Sequence, residues 1–345
     1  MAAALSLLRR FSEKLLCDRK ETLMSGARST LVLASLLTLA AVALPARAQT
    51  CTPGALKDTA PLSQIFQKAC HNCYEKQYAK TFLSVFNDVE AVEIDFYDTK
   101  DKVSGAKDFS WYVRHGWGTL LQSGNDNNCT GDGKGTNDLA ACLKDVKAAS
   151  DAHAGHRLYV VYLDKKQAWG PTRQPVDLDN LITRIFPTTM ILRPQDLRGS
   201  NPTAREAAQK GAWPAYSSLN DKVMFVLTGG QDGNHNKTQS EYVAARGQDA
   251  AIFVAPDTDE TGDITGKPNQ FSDATASWVV VYNIKDGKQK VAPTAHAKNY
   301  LSRLWGSKED SATYTANLKQ CLSFIALYDY KQTKFNGGVM DGTFQ

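Results

Sequence analysis

Twelve prolines in 345 residues, with no Ser/Pro or Gln/Asn tract, leave nothing that reads as an interdomain linker. No G-x-G-x-x-G or Walker motif stands near a predicted strand end, so the signature of a nucleotide-binding open sheet is missing. No Lys/Arg cluster or aromatic-flanked basic motif offers a surface for phosphate backbones, which argues against a nucleic-acid partner. The longest apolar run, Leu31–Leu44, is broken only by Ser35 and Thr38 and falls short of the roughly 20 residues that a spanning helix needs.

That run has the form of an export leader. Arg28 precedes it, and Pro45-Ala46-Arg47-Ala48 supplies a small-residue cleavage pattern, so residues 1–48 are expected to be a signal peptide. Met24 stands at the natural start of such a leader, which would make 1–23 an over-extended start. Seven of the 40 basic and three of the 36 acidic side chains lie in the leader; its removal leaves 33 of each, so the formal charge of +4 becomes zero. Cys17 leaves with it. The remaining six cysteines form an even set, suited to disulfides in a secreted or periplasmic protein, with 15 possible connectivities. Cys129 with Cys142 is the expected pair, closing a Gly-rich loop. Cys70-x-x-Cys73 ends a predicted strand rather than opening a helix, which argues against a redox motif.

Residues 49–345 are expected to form one domain. Eight β-branched or apolar runs recur: Ile65–His71, Ala91–Phe96, Trp111–His115, Leu158–Leu163, Val223–Thr228, Ala251–Ala255, Trp278–Asn283 and Phe324–Tyr328. Several are nearly continuous, as in strands covered on both faces. Helix-like segments alternate with them at Glu75–Asp88, Asn137–Ser150, Leu178–Ile185, Ala204–Lys210, Gln239–Arg246 and Ala295–Trp305. Eight strands in about 280 residues predict an α/β fold, a single irregular (β/α)8 TIM-type barrel, with a doubly wound sheet as the alternative.

Residues capable of chemistry fall at the C-terminal ends of the first four predicted strands: His71-Asn72, Glu93-Ile94-Asp95, Arg114-His115 and Asp164-Lys165. In a barrel this is the active-site rim. Glu93 and Asp95 are two apart on a strand and so share a face. Two histidines with a carboxylate cluster suit phosphodiester cleavage, in which His71 and His115 serve as acid, base or phosphate stabiliser, with Glu93 or Asp164 as a further base. Asn72, Glu93, Asp95 and Asp164 offer the oxygen ligands preferred by Ca²⁺ or Mg²⁺.

At these residues the chain resembles the catalytic X-region of calcium-dependent phosphoinositide-specific phospholipase C, within the PLC-like phosphodiesterase superfamily. His71-Asn72, Glu93-Ile94-Asp95, Val113-Arg114-His115 and Leu163-Asp164 carry the resemblance, in family order, over the first half of the mature chain. It implies a TIM barrel, His71 and His115 flanking the phosphate, and calcium held by Asn72, Glu93, Asp95 and Asp164. Metal-independent members have arginine where this chain has Asp95. Asp164 stands where the calcium-dependent enzymes usually have glutamate, and the accessory lipid-binding domains of eukaryotic members are missing.

The implied activity is cleavage of phosphatidylinositol or a related phospholipid through a cyclic inositol phosphate, by a secreted monomer that touches a membrane surface. Glycerophosphodiester and sphingomyelinase D-like phosphodiesterases share the His, Glu-x-Asp, His skeleton and are the alternative, although the former place arginine where this chain has Asn72. A non-catalytic barrel that binds head groups is the third reading. Lys165 and Arg114 are candidate substrate contacts, with Lys166, Asp257 and Tyr328 as further inositol contacts. His153 and His156 read as helix-end caps rather than a metal pair. Trp111, Tyr112, Trp117 and Trp169 are candidates for a lipid interface or for the core.

Overall fold

The computed structural model describes residues 50–98, 111–115, 127–131, 133, 137–230, 235–331 and 341–345. The expected leader and Trp117 lie outside them. Eight parallel strands follow in chain order: β1 (Ile65–Cys70), β2 (Ala91–Tyr97), β3 (Tyr159–Lys165), β4 (Val223–Gly229), β5 (Phe253–Val254), β6 (Val281–Lys285), β7 (Leu301–Trp305) and β8 (Phe324–Leu327). Each pairs with the next from β1 to β5 and from β6 to β8, and β8 returns to β1. A parallel bridge from Asp257 to Asn283 joins the β5 and β6 ends, so the sheet is a nearly closed barrel. Val, Ile, Leu and Phe fill the strands because helices cover their outer face while facing strands cover the inner one. Residues Arg47–Gln345 form one compact unit. Among the described residues no helix is long and apolar enough to cross a membrane.

Three of the expected elements are different. The segment expected as a strand over Trp111–His115 is reduced to Tyr112–Val113 and runs antiparallel against the end of β2, pairing Val113 with Phe96. β2 already has β1 on one side and β3 on the other as parallel neighbours, so the segment joins only at its end, where Phe96 and Tyr97 take it antiparallel. The eighth barrel strand is instead β7, placed by the sequence inside a helix over Ala295–Trp305. Only Ala292–Ala297 is helical there; Asn299 adopts φ 57°, a left-handed stop, and the chain then extends. The helix expected over Glu75–Asp88 is also missing, and a 3₁₀ turn at Leu83–Asn87 stands in its place. The buried Asn128 side-chain amide donates to the carbonyls of Cys73, Glu75 and Ala79, holding that stretch as a loop.

Cys129 pairs with Cys142 as expected, Cys51 with Cys321, and Cys70 with Cys73. His153 caps the helix Leu139–Ala152, its N–H donating to Ala149, while the His156 ring contacts Ser150 Oγ at 2.7 Å.

The closed end of the barrel holds a buried acid pair. Strand Asp341–Phe344 lies antiparallel on the first half of β1, bringing Asp341 to Glu90 just before β2. Tyr216 donates to both carboxylates, Gln67 to Glu90, and Arg157 to Asp341 at 2.6 Å. Burial, with Asp341 alongside, pushes the Glu90 carboxyl up to about 8, and burial raises Asp341 as well. A carboxyl raised in the folded state stabilises fully below its unfolded pKa and loses that contribution as pH rises through the folded one. The melting temperature of the wild type relative to Glu90→Gln should therefore fall between about pH 4.5 and 8 and level off above, because Arg157, Asp341, Tyr159 and Tyr216 are common to both proteins. A pH-independent difference in thermal melts would contradict the raised Glu90 carboxyl.

Candidate active site

The mouth at the C-terminal ends of the strands collects the polar residues that the sequence singles out. His71 and Asn72 follow β1 directly, and Asn72 turns the chain with φ 59°, a conformation that asparagine tolerates better than most residues. Glu93 and Asp95 project from β2 on one face, both buried. Asp164, near the end of β3, is in register with Asp95 on the neighbouring strand. His115 reaches the same mouth because the backbone N–H of Arg114 donates to the Asp95 carbonyl, folding the antiparallel segment over the end of β2.

Carboxylate oxygens of Glu93, Asp95 and Asp164 lie within 4.8 Å of one another. Two basic side chains and both histidines face them. Arg303 on β7, almost fully buried, places Nη2 2.9 Å from Glu93 Oε2, donates to Asn283 through Nη1 at 3.0 Å, and stacks its guanidinium over the Tyr162 ring. Lys166 Nζ lies 3.0 Å from Asp95 Oδ2 and 3.2 Å from Asp164 Oδ2. His71 Nε2 is 3.1 Å from Glu93 Oε2. His115 Nδ1 is 3.3 Å from Asp95 Oδ2, 3.6 Å from Glu75 Oε1 and 2.8 Å from the Asn72 Nδ2 amide.

The two imidazoles occupy unlike environments. His71 is buried, and desolvation lowers its pKa despite the pull of Glu93. The His115 side chain is 55% exposed, and its hydrogen bond to Asp95 raises its pKa. One ring is thus biased towards the neutral form and the other towards the protonated form. An aromatic wall closes the His71 side: Tyr328 at 4.4 Å between ring centroids, Trp305 at 6.3 Å, and Tyr78 packed on Tyr328 at 5.0 Å. Glu309 fixes that wall by accepting the backbone N–H groups of Tyr328 and Asp329.

The donor set fits a hard divalent cation. Its ligand atoms are carboxylate and amide oxygens, and Asn72 Oδ1 and Asp164 Oδ1 are buried with no hydrogen-bond partner among the described residues. Gly229 makes room for Asp164: at φ 80° it takes the left-handed conformation, and an added Cβ would stand 1.9 Å from Asp164 Oδ1. The second group of potential ligands among the described residues, Cys51, His296 and Cys321, is closed by its disulfide.

Other expected contacts lie elsewhere. Lys165 is fully buried and turned away from the mouth; its ammonium pairs with Asp98 at 2.9 Å and donates to the carbonyls of Gln167 and Ala168. Strand alternation sends Asp164 and Lys166 inward and Lys165 outward, so Lys166 is the lysine at the site. Arg114 is buried, donating to the Tyr112 hydroxyl at 3.4 Å, and does not present its guanidinium at the surface. Asp257 accepts from Asn283 at the β5–β6 seam. Trp111 and Tyr112 are buried, and the Trp169 indole donates to the Thr238 carbonyl, so these three are packing residues rather than a lipid-facing cluster. Arg303, Trp305 and Glu309 were not identified from sequence; the run of polar and aromatic residues two apart in Ser302-Arg303-Leu304-Trp305 was the available signal.

Comparison with known proteins places this geometry. A family model described as phosphoinositide phospholipase C, Ca²⁺-dependent, matches residues 133–265. A calcium-dependent phosphoinositol-specific phospholipase C from the Gram-negative bacterium Pseudomonas sp., solved in a myo-inositol complex, is 39% identical with TM-score 0.75, the match covering 85% of this chain and 99% of that one. A Ca²⁺-dependent phosphatidylinositol-specific phospholipase C from Streptomyces antibioticus is 24% identical with TM-score 0.63, covering 79% and 95%, and shares the fold. A search of curated proteins finds no match.

Gly229→Ala should weaken divalent-cation binding at least about tenfold by calorimetry, because the new methyl must displace Asp164 and a left-handed alanine costs about 1–2 kcal/mol. Unchanged affinity would show that Asp164 does not need that space.

Proposed function

The chain belongs to the calcium-dependent phosphoinositide-specific phospholipase C family and is a phosphodiesterase that cleaves phosphatidylinositol; we propose that it does so by intramolecular attack, releasing diacylglycerol and a cyclic inositol phosphate. The observation that carries this reading is the convergence of two differently biased histidines on one carboxylate cluster. Asn72, Glu93, Asp95 and Asp164 would hold the calcium. When bound, it supplies Lewis-acid stabilisation of the charge on the phosphoryl oxygens.

The chain's own groups handle the protons. The inositol hydroxyl beside the phosphate attacks phosphorus, and its proton passes to a carboxylate of the cluster. Asp164 suits this task better than Glu93, whose Oε2 already faces both Arg303 and His71. As the new O–P bond forms and the bond to the glycerol oxygen breaks, His115 gives its proton to that leaving oxygen. Exposure at the mouth and the carboxylate of Asp95 behind it suit His115 to be this acid. His71, held against Glu93 and the Tyr328 ring, stabilises charge on the phosphoryl group. Arg303 positions Glu93, and the aromatic wall limits where the inositol ring can lie.

The expected leader and the three disulfides support a secreted or periplasmic location. One chain supplies every residue of the cluster, which supports action as a monomer, with the mouth meeting the phospholipid at a membrane surface.

Phosphorus NMR of products from phosphatidylinositol, phosphatidylcholine and glycerophosphoinositol tests the reaction. A cyclic inositol phosphate should form from phosphatidylinositol with calcium, and excess chelator should stop it. His115→Ala should lower turnover about 1000-fold with the thermal melt unchanged. Full turnover in chelator, or a linear phosphate as the first product, would overturn the proposal.

A further inference from the structure

Lys166 differs from every other basic residue near the mouth. It extends β3 by one step, its N–H donating to the Phe96 carbonyl at 3.0 Å, and alternation returns its side chain to the face that carries Asp164. Its ammonium bridges Asp95 and Asp164, two of the three carboxylates that lie within 4.8 Å of one another. Arg303 serves the third and is 1% exposed, so it is locked in the barrel interior. The Lys166 side chain is 28% exposed, so its ammonium has a path to solvent along a flexible four-carbon stem, with no backbone movement required. Lys165, fully buried and bound by Asp98, has no such path.

We propose that Lys166 is a tethered counter-cation of the carboxylate cluster, which must leave Asp95 and Asp164 before calcium can bind and therefore sets how tightly calcium is held. The proposal rests on the calcium reading above. Asp95 and Asp164 are neighbours in register on adjacent strands, and one monovalent ammonium placed between them offsets part of the charge that a divalent ion would meet in full. The two cations cannot share the same oxygens, since like charges brought together in a largely buried site repel. Calcium affinity is then the intrinsic affinity of the oxygens reduced by the strength of the lysine pairing. Once displaced, the ammonium stays tethered beside the cluster, at the place where the anionic phosphate of the substrate has to enter.

Calorimetric titration of calcium into substrate-free protein, with melting temperatures in chelator and in calcium, tests this without reference to turnover. Lys166→Met should bind calcium at least about tenfold more tightly than the wild type. It should also melt lower in chelator and gain more from calcium, because its bare carboxylates repel. Lys166→Gln should behave in the same way, and Lys166→Arg, which keeps the charge, should stay near the wild type. Equal or weaker binding by both neutral variants would overturn the role of Lys166 while leaving the calcium reading intact. No calcium binding by any of the proteins would overturn both.

Discussion

Three carboxylates held within 4.8 Å at one barrel mouth cannot all keep their charge away from water unless positive charge is brought to them. The rest of the mouth follows from that constraint. Arg303 crosses the barrel interior to meet Glu93, Lys166 doubles back to meet Asp95 and Asp164, and each histidine takes a carboxylate partner. Even the backbone conforms to it, with Gly229 left-handed and without a side chain so that Asp164 has room. A site crowded with negative charge in this way gives a hard divalent cation a strong reason to enter. Residues 49–345 carry 33 basic and 33 acidic side chains, so they have no net charge to attract phosphate, and the attraction must be local.

The opposite end of the barrel meets the same problem with another solution. Glu90 and Asp341 also lie together in the interior, yet a single guanidinium, that of Arg157, reaches the pair. There a proton takes the place of the second cation, and Glu90 is raised to about 8. The pair joins Asp341–Phe344 to the start of β2 and closes the floor. At the mouth the carboxylates are met by basic side chains, of which Lys166 has a path to solvent; at the floor burial favours a proton on the pair. The first arrangement suits catalysis, and the second suits stability.

Much of this was legible in the sequence, for a physical reason. Strands buried on both faces are continuous apolar runs, so β1 to β4 show themselves within a residue or two, and the polar residues that interrupt their ends stand out as site residues. Trp111–His115 also looks like a strand, but its place depends on β2 already being paired with β1 and β3, which local pattern does not weigh. β7 was hidden because an interior arginine breaks the apolar run and an alanine-rich helix adjoins it; Arg303 is tolerated there only because Glu93, Asn283 and Tyr162 surround it, partners that lie far away in sequence. The exchange of Lys165 for Lys166 has a simpler cause, since alternation from Asp164 points to the second lysine.

The central claim is that one cation, held by Asn72, Glu93, Asp95 and Asp164, supplies the phosphate affinity that the overall charge does not. A crystal structure of the wild-type protein grown with calcium tests it most directly. The account predicts a single calcium among oxygens of those four residues, with Lys166 Nζ moved off Asp95 and Asp164. Calcium bound elsewhere, with the ammonium still bridging the two aspartates, would contradict it.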